Sequence, residues 1–451
     1  MDEYKRLMGM MRGELRGDFS RDTFDEQRQF SRIYMQQGRV QLDADFNEQA
    51  SITVHYLRAL AVDLMGPHAA PADADGQERD DFKVELAGEN LDHFTVNPGI
   101  YYVNGIRCVH RRSALEKRKE VEQYELPKEY QNCLIYLDVW ERHIAAVEED
   151  LIRETALNGP DTATRAKIEW QVKTKININT SADELKSYTA FMKELDEVRR
   201  PGKGQLRAQA RRREAEDLEP CLTAPEARYR GPENQLYRVE IHKGGQSKTA
   251  TFKWSRENGS VYFPIVKPVA GRTVTVAHLG RDARFGLKPA DWVELIDDEE
   301  ALTPERPPLL QVEFVAPDTF EVTLQEAPTS GRLGTEMGKH PYLRRWDHKS
   351  DSADGIPVIE SAPSSTKWIE LEDGIQIQFL KGDTPRYGVG DYWLIPARTI
   401  TGDVEWPGSA ANPEFSYAHG TLHHYAPLAL IARSQGRPTP RDLRRQLKPL
   451  W

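Results

Sequence analysis

Phe94-Thr-Val-Asn-Pro-Gly-Ile-Tyr-Tyr-Val-Asn-Gly-Ile-Arg-Cys-Val109 decides the fold class of this chain. Two short apolar runs, 100–103 and 106–109, flank Asn104-Gly105. Asn-Gly in that setting is the strongest short-range hairpin signal, because both residues tolerate the positive φ of a tight turn. Asn97-Pro-Gly99 marks a further turn just before it. Downstream, Cys133-Leu-Ile-Tyr-Leu-Asp-Val-Trp140 is apolar enough for a strand buried on both faces.

Short strands with turn residues between them recur over 235–241, 249–254, 261–263, 273–276, 292–296, 309–314 and 319–324. That spacing predicts an antiparallel barrel or sandwich. A last β-rich section follows at 368–371, 375–379 and 392–395. Helical periodicity is confined to two places. From Asn47 to Met65, the apolar residues Ile52, Val54, Leu57, Leu60, Ala61 and Leu64 fit one helical face, and Gly66-Pro67 ends the run. Stretches 148–157 and 183–198 read as helices on either side of a strand at 166–178, and 199–213 is basic and Gly-interrupted, as a solvated helix or mobile insertion would be. The expectation is a mainly β, multi-domain protein of antiparallel sandwiches or barrels, with an N-terminal helical segment and a helical insertion. Its parts are an arm, signature strand and helix (1–70), a β domain (82–147), a helical, charged insertion (148–226), a β barrel or sandwich (227–330) and a loop-rich C-terminal β section (331–451).

Composition narrows the function classes. The chain has 451 residues, 39% hydrophobic and 29% charged, so it has ample material for several cores. A net charge of -10 argues against nucleic acid as the main partner. No apolar run approaches the roughly 20 residues of a membrane span. Cys108, Cys133 and Cys221 are odd in number and far apart, which suits a reducing compartment, although Cys108 and Cys133 could approach on neighbouring strands.

The search for chemistry predicts no enzyme and no cofactor. There is no Gly-x-Ser-x-Gly elbow, no His-Glu-x-x-His and no Cys-x-x-Cys, and Gly244-Gly-Gln-Ser-Lys-Thr249 lacks phosphate-loop spacing. Asp43, Asp45 and Asn47 read as helix-capping oxygens rather than a calcium loop, since Glu48 stands where such a loop needs glycine. The neighbours His423 and His424 would point to opposite sides of a strand, so they do not readily grip one ion. Trp393, Trp406, His424 and Tyr425 offer an alternative, an aromatic sugar-binding face.

Several blocks occur in one order along the chain: Phe24-Asp25, Met35 to Gln49, Tyr136-Leu-Asp-Val-Trp-Glu-Arg-His143, Gly159 to Arg165, Glu233 to His242, Phe252 to Ser260, Trp368 to Ile375 and Gly390 to Arg398. With these, the chain resembles an uncharacterised domain-of-unknown-function family associated with phage-tail-like extracellular contractile injection systems. The resemblance implies a structural or adaptor part at the baseplate or tail tip. Its partners would be baseplate, tube or spike proteins and further copies of itself, and no catalytic residues carry over. Such a part would be cytoplasmic on synthesis and then join a particle that is released or membrane-anchored. The alternatives are a tail-fibre-like carbohydrate-binding module and a loaded effector.

Two stretches are the expected docking elements. In Phe30 to Asn47, residues Tyr34, Gln36, Gln37 and Arg39 mix aromatic, amide and basic groups without a core pattern. The competing reading makes it an internal strand, with Val40 and Leu42 alternating around Gln41, that caps the following helix. The arm over 1–28 places Met8, Met10 and Met11 among basic residues, and methionines adapt to irregular partner surfaces. Gly9, Gly13 and Gly17 disfavour a helix there, so the arm is expected to order only against a neighbour.

Overall fold

A computed structural model describes residues 14–73, 75–88, 91–111, 123–196, 202–211, 228–282, 285–330, 332–382, 387–434 and 437–447. The protein is mainly β and multi-domain, with a long N-terminal helix, as the sequence predicts.

The first β body is built around the predicted hairpin. Gly99–Val103 pairs with Ile106–His110, and Asn104 and Gly105 take φ of 45° and 75°. The doubly apolar strand runs over Asn132–Ile144 and sits inside a four-stranded antiparallel sheet between Arg165–Ile176 and His424–Ser434, with Arg437–Asp442 at the edge. Its alternate residues serve two cores. Cys133, Ile135, Leu137 and Val139 pack with Phe82, Phe94, Tyr101 and Cys108 on the hairpin side. Leu134 and Tyr136 pack with Leu185, Phe191 and Leu195 on the other. Cys108 and Cys133 are buried free thiols; Cys221 lies outside the described residues.

A sandwich forms the second body. The sheet Ile356–Pro357, Thr251–Ser255, Gln235–Lys243, Tyr392–Arg398, Asp403–Val404 faces one containing Ile375–Leu380, Gln205–Ala210 and Ser416–Tyr417. Between them lie Ala208, Tyr237, Val239, Ile241, Phe252, Ile377, Phe379 and Trp393.

The third body is a six-stranded antiparallel sheet in the order Tyr262–Pro264, Tyr342–Trp346, Trp292–Ile296, Leu310–Ala316, Glu321–Leu324, Thr273–Thr275. A bridge between Ile265 and Val276 joins its first and last strands, closing a barrel around Phe263, Val274, Val293, Leu295, Val322 and Leu343.

Two expectations for 148–226 need correction. The helical insertion is cut into 3₁₀ turns at Asp150–Ile152 and Thr155–Leu157 and short helices at Ala182–Leu185 and Tyr188–Glu194. Its basic stretch contains Gln205–Ala210, a strand within the sandwich, where Leu206 and Ala208 are fully buried. Tertiary pairing with Ile375–Leu380 overrides the local charge pattern there. Strand pairing also crosses the sequence boundaries drawn above, since residues 424–434 return to the first body.

Candidate functional site

The segment that carries the signature runs from residue 14 into one long helix, α1 (Asp43–Met65). Its start is buried in the protein's own body. Arg16 pairs with Glu14 and, at 2.8 Å, with Glu240. The carbonyl of Leu15 accepts from Arg238 and Asn258, and that of Gly17 from Asn258. The expectation that the arm orders only against a neighbour therefore fails for residues 14–17, because a charged side chain finds its partner inside this chain. Met8, Met10 and Met11 lie outside the described residues.

Beyond the mooring, the chain clings to α1. Ser20 donates its amide (2.8 Å) and hydroxyl (2.6 Å) to the Asp43 carboxylate. Partial burial would raise that carboxyl, and the Ser20 bonds hold it below the usual range. Thr23 donates to Glu48, and the Ile33 amide donates to the Gln49 side-chain carbonyl at 2.7 Å. Asp43 thus opens the helix without capping it, and Leu42 at the N-cap position supplies no side-chain bond, so the predicted capping triad is corrected. The cleft beside this segment, about 430 Å³, is lined by Ser20, Asp43, Glu257 and Arg398 among others. Those four are committed to partners: Ser20 to Asp43, Glu257 to Arg345 and Arg398 to Glu405.

Residues 29–42 form no strand, which removes the internal-strand reading. Tyr34, Gln36, Gln37 and Arg39 are all exposed in one open stretch that turns at Gly38 and leads into α1. Val40 and Leu42 are exposed as well.

The outer face of α1 is the least expected feature. Only Ala44 and Ile52 are buried. The backbone of Arg58 crosses the hairpin turn so closely that a Cβ at Gly105 would lie 2.7 Å from the Arg58 carbonyl oxygen. The predicted apolar face therefore points largely outward, with Leu57 at 62%, Leu60 at 56% and Leu64 at 68% exposure, and Phe46, ahead of that face, is 79% exposed. These four, with the exposed Ala50 and Thr53, stand at alternating intervals of four and three residues. That interval is the a/d seam of a coiled coil, carried through six successive positions without one charge.

A second constellation lies inside, where the three β bodies meet the segment. Glu240 stands directly across from Lys253 in the sandwich, and its carboxylate also takes Arg238 at 2.6 Å. Lys253 reaches Glu294 of the barrel at 2.9 Å, and Glu294 accepts from Trp346 Nε1 at 3.1 Å. Arg238 lies over the Tyr392 ring, 3.6 Å from its centroid. Burial alone would raise the Glu240 carboxyl; Arg16, Arg238 and Lys253 hold it well below its ordinary range. Burial likewise opposes ionisation of Glu294, and Lys253 foremost overcomes it. Sequence reading missed this network. The available signal was the alternation of charged Arg238 and Glu240 with apolar Tyr237, Val239 and Ile241, which by itself reads as a strand with one wet face.

The remaining polar candidates are internal contacts. His423 bonds with Asp138 at 2.7 Å and His424 with Asn104 at 3.1 Å. The sugar-binding face is corrected: Trp393 and Tyr425 are buried in two different cores. Among the described residues, no helix is long and apolar enough to cross a membrane.

Comparison with known proteins returns one family. No curated protein and no solved structure matches the chain. The model of a family of unknown function matches in two overlapping segments, residues 15–198 and 177–436, which span the segment, α1 and nearly all of the three β bodies. The chain belongs to that family of unknown function, DUF6519.

Proposed function

We propose that this protein is a non-enzymatic structural or adaptor component of a multi-subunit particle, and that it works through protein–protein interfaces. The observation that carries this reading is the uncharged, outward a/d seam of α1, flanked by the exposed Tyr34–Arg39 stretch. Burying one Leu or Phe side chain contributes about 1.5–3 kcal/mol, so a helix with four of them in water gains most when another helix covers it. The occupant is the same helix of a neighbouring copy. A seam without charge meets itself without repulsion, whereas the rest of a chain of net charge -10 disfavours close approach of copies. Tyr34, Gln36, Gln37 and Arg39 then contact a different particle protein.

The particle we propose is a contractile injection system or related phage-tail-like assembly, with this chain at the baseplate or tail tip. That part of the proposal rests on the resemblance of the sequence blocks. Mass spectrometry of purified particles should find the chain in stoichiometric amount, and its absence from intact particles would remove the assignment. Light scattering on the purified chain tests the seam separately: an oligomer is expected, and a strictly monomeric chain at tens of micromolar would refute self-pairing.

A further inference from the structure

The seam of α1 is uneven along its length. Phe46, Leu57, Leu60 and Leu64 are large, whereas Ala50 and Thr53, consecutive in the seam, are small. Across a helix pair, a large side chain facing a small one fills the space between the backbones, and small facing small leaves a void that costs stability. The order of sizes therefore selects how a second copy lies on the first.

Set parallel and in register, Ala50 faces Ala50 and Thr53 faces Thr53, and the seam is hollow over that stretch. A parallel pair shifted by one heptad sets Ala50 against Leu57 and Thr53 against Leu60, but it leaves Leu60 and Leu64 of one copy and Phe46 of the other in water. Set antiparallel about residue 55, the seam meets itself along its whole length: Phe46 faces Leu64, Ala50 faces Leu60 and Thr53 faces Leu57. Both small residues then receive a leucine. Thr53 is prepared for that burial, since its hydroxyl donates to the Gln49 carbonyl of its own helix at 2.9 Å.

The surroundings of the seam agree with such a pair. Val54 and Tyr56 are exposed on either side of it, close to the centre of the pairing, and extend the apolar surface there. Arg58 is turned to Glu141 of the first body at 2.8 Å. The protein's own segment lies on the far side, where Thr23 donates to Glu48 and the Phe24 ring meets that of His55 at 5.8 Å.

We propose that two copies pair through α1 as an antiparallel, twofold-symmetric dimer centred near residue 55. This geometry rests on the self-pairing of α1 proposed above, and it sets the number of copies at two. A twofold contact is self-complementary and closes at two copies, so it does not grow into a filament. It also carries the two Tyr34–Arg39 stretches to opposite ends of a helix pair about 35 Å long. One dimer thereby bridges two copies of the partner protein.

Distances between nitroxide labels test the orientation in the full chain. Asn47→Cys, Val54→Cys and Asp63→Cys each carry one label, with Cys221→Ser in all three, while Cys108 and Cys133 are buried. In the antiparallel pair residue 47 lies across from residue 63. Each of those two labels is then about 24 Å along the axis from its own copy, and about 25–30 Å away in all. Val54 lies beside the twofold axis, and its two labels are expected within about 15 Å of each other. Long, short and long separations at 47, 54 and 63 support the proposal. Any oligomer in which the Val54 pair is not the closest of the three overturns the antiparallel dimer and leaves self-association standing. A chain that light scattering shows to be monomeric at tens of micromolar removes self-pairing itself, and this geometry with it.

Discussion

Lys253 has no exposed surface and lies between two carboxylates, whereas Leu64 of α1 is 68% exposed to water. The two regions are joined by only a few dozen residues of chain through Arg16, yet they reverse the usual partition of charge and oil. Inside, the ions are tolerated because each carboxylate meets two or more cations, or one at close range, and strands from separate bodies supply them. Outside, apolar residues stand in water on a helix that is moored along one narrow line at Ala44, Ile52 and Arg58. The difference teaches what each region is for. A buried ionic junction has one geometry in which its charges balance, so it fixes how the three bodies and the segment sit together. An uncharged helical seam has many helical partners and fixes nothing until one arrives.

Replacing Glu240 should produce the largest effect, since it leaves Arg238 without its counter-charge and Arg16 with Glu14 alone. Glu240→Gln keeps the shape and is expected to cost about 3–5 kcal/mol, read as a fall in the urea midpoint. A change below about 1 kcal/mol would mean that the junction is solvated in practice.

Acid sharpens the same point. Glu240 and Glu294 both titrate below their ordinary value of 4.5 in the folded protein. A depressed carboxylate stabilises the fold above its unfolded pKa and loses that contribution as pH falls through the folded value. Stability should therefore drop steeply below about pH 4.5, and the drop should be shallower in Glu240→Gln. Parallel pH profiles for the two proteins would contradict the network's role.

Arg16→Met comes next, at about 2–3 kcal/mol, because Glu240 keeps Arg238 and Lys253 when Arg16 is lost. This runs against the expectation that the arm orders only against a neighbour, on which a chain lacking residues 2–17 would melt at nearly the same temperature. Unchanged melting of the deletion would show that the mooring contributes nothing.

The smallest effect on stability belongs to the other half of the comparison. Leu57→Glu with Leu60→Glu keeps good helix formers on an exposed face, so each change should move stability by no more than about 0.5 kcal/mol. The same pair should abolish oligomers in light scattering. Loss of folding would show that the face packs on the body, and persistence of oligomers would place the interface elsewhere.

Much of the fold was legible locally. Asn104-Gly105 can only turn the chain back on itself at low cost, and the run from Cys133 to Trp140 is too apolar to leave either face wet, so the hairpin and the doubly buried strand follow from residue chemistry. The helix was legible from its period over Asn47 to Met65, and so was the stop at Gly66, while its first turn from Asp43 was read as a cap. The exposed, patternless Tyr34–Arg39 stretch was legible as a candidate contact because nothing in it asks for a core.

What only the tertiary structure decided is which faces are wet. Periodicity identifies an apolar face on α1, but burial depends on whether another element lies beneath it, and here Ala44 and Ile52 alone among the helix residues are buried, with the Arg58 backbone crossing the hairpin turn. Alternation identifies a polar face on Gln235–Lys243, but the barrel closes over it and turns Arg238 and Glu240 into interior residues. Both outcomes depend on contacts between residues more than 40 positions apart, such as Lys253 with Glu294 and Arg16 with Glu240. A local pattern can specify which side of an element is apolar or charged; only the assembled bodies determine what that side meets.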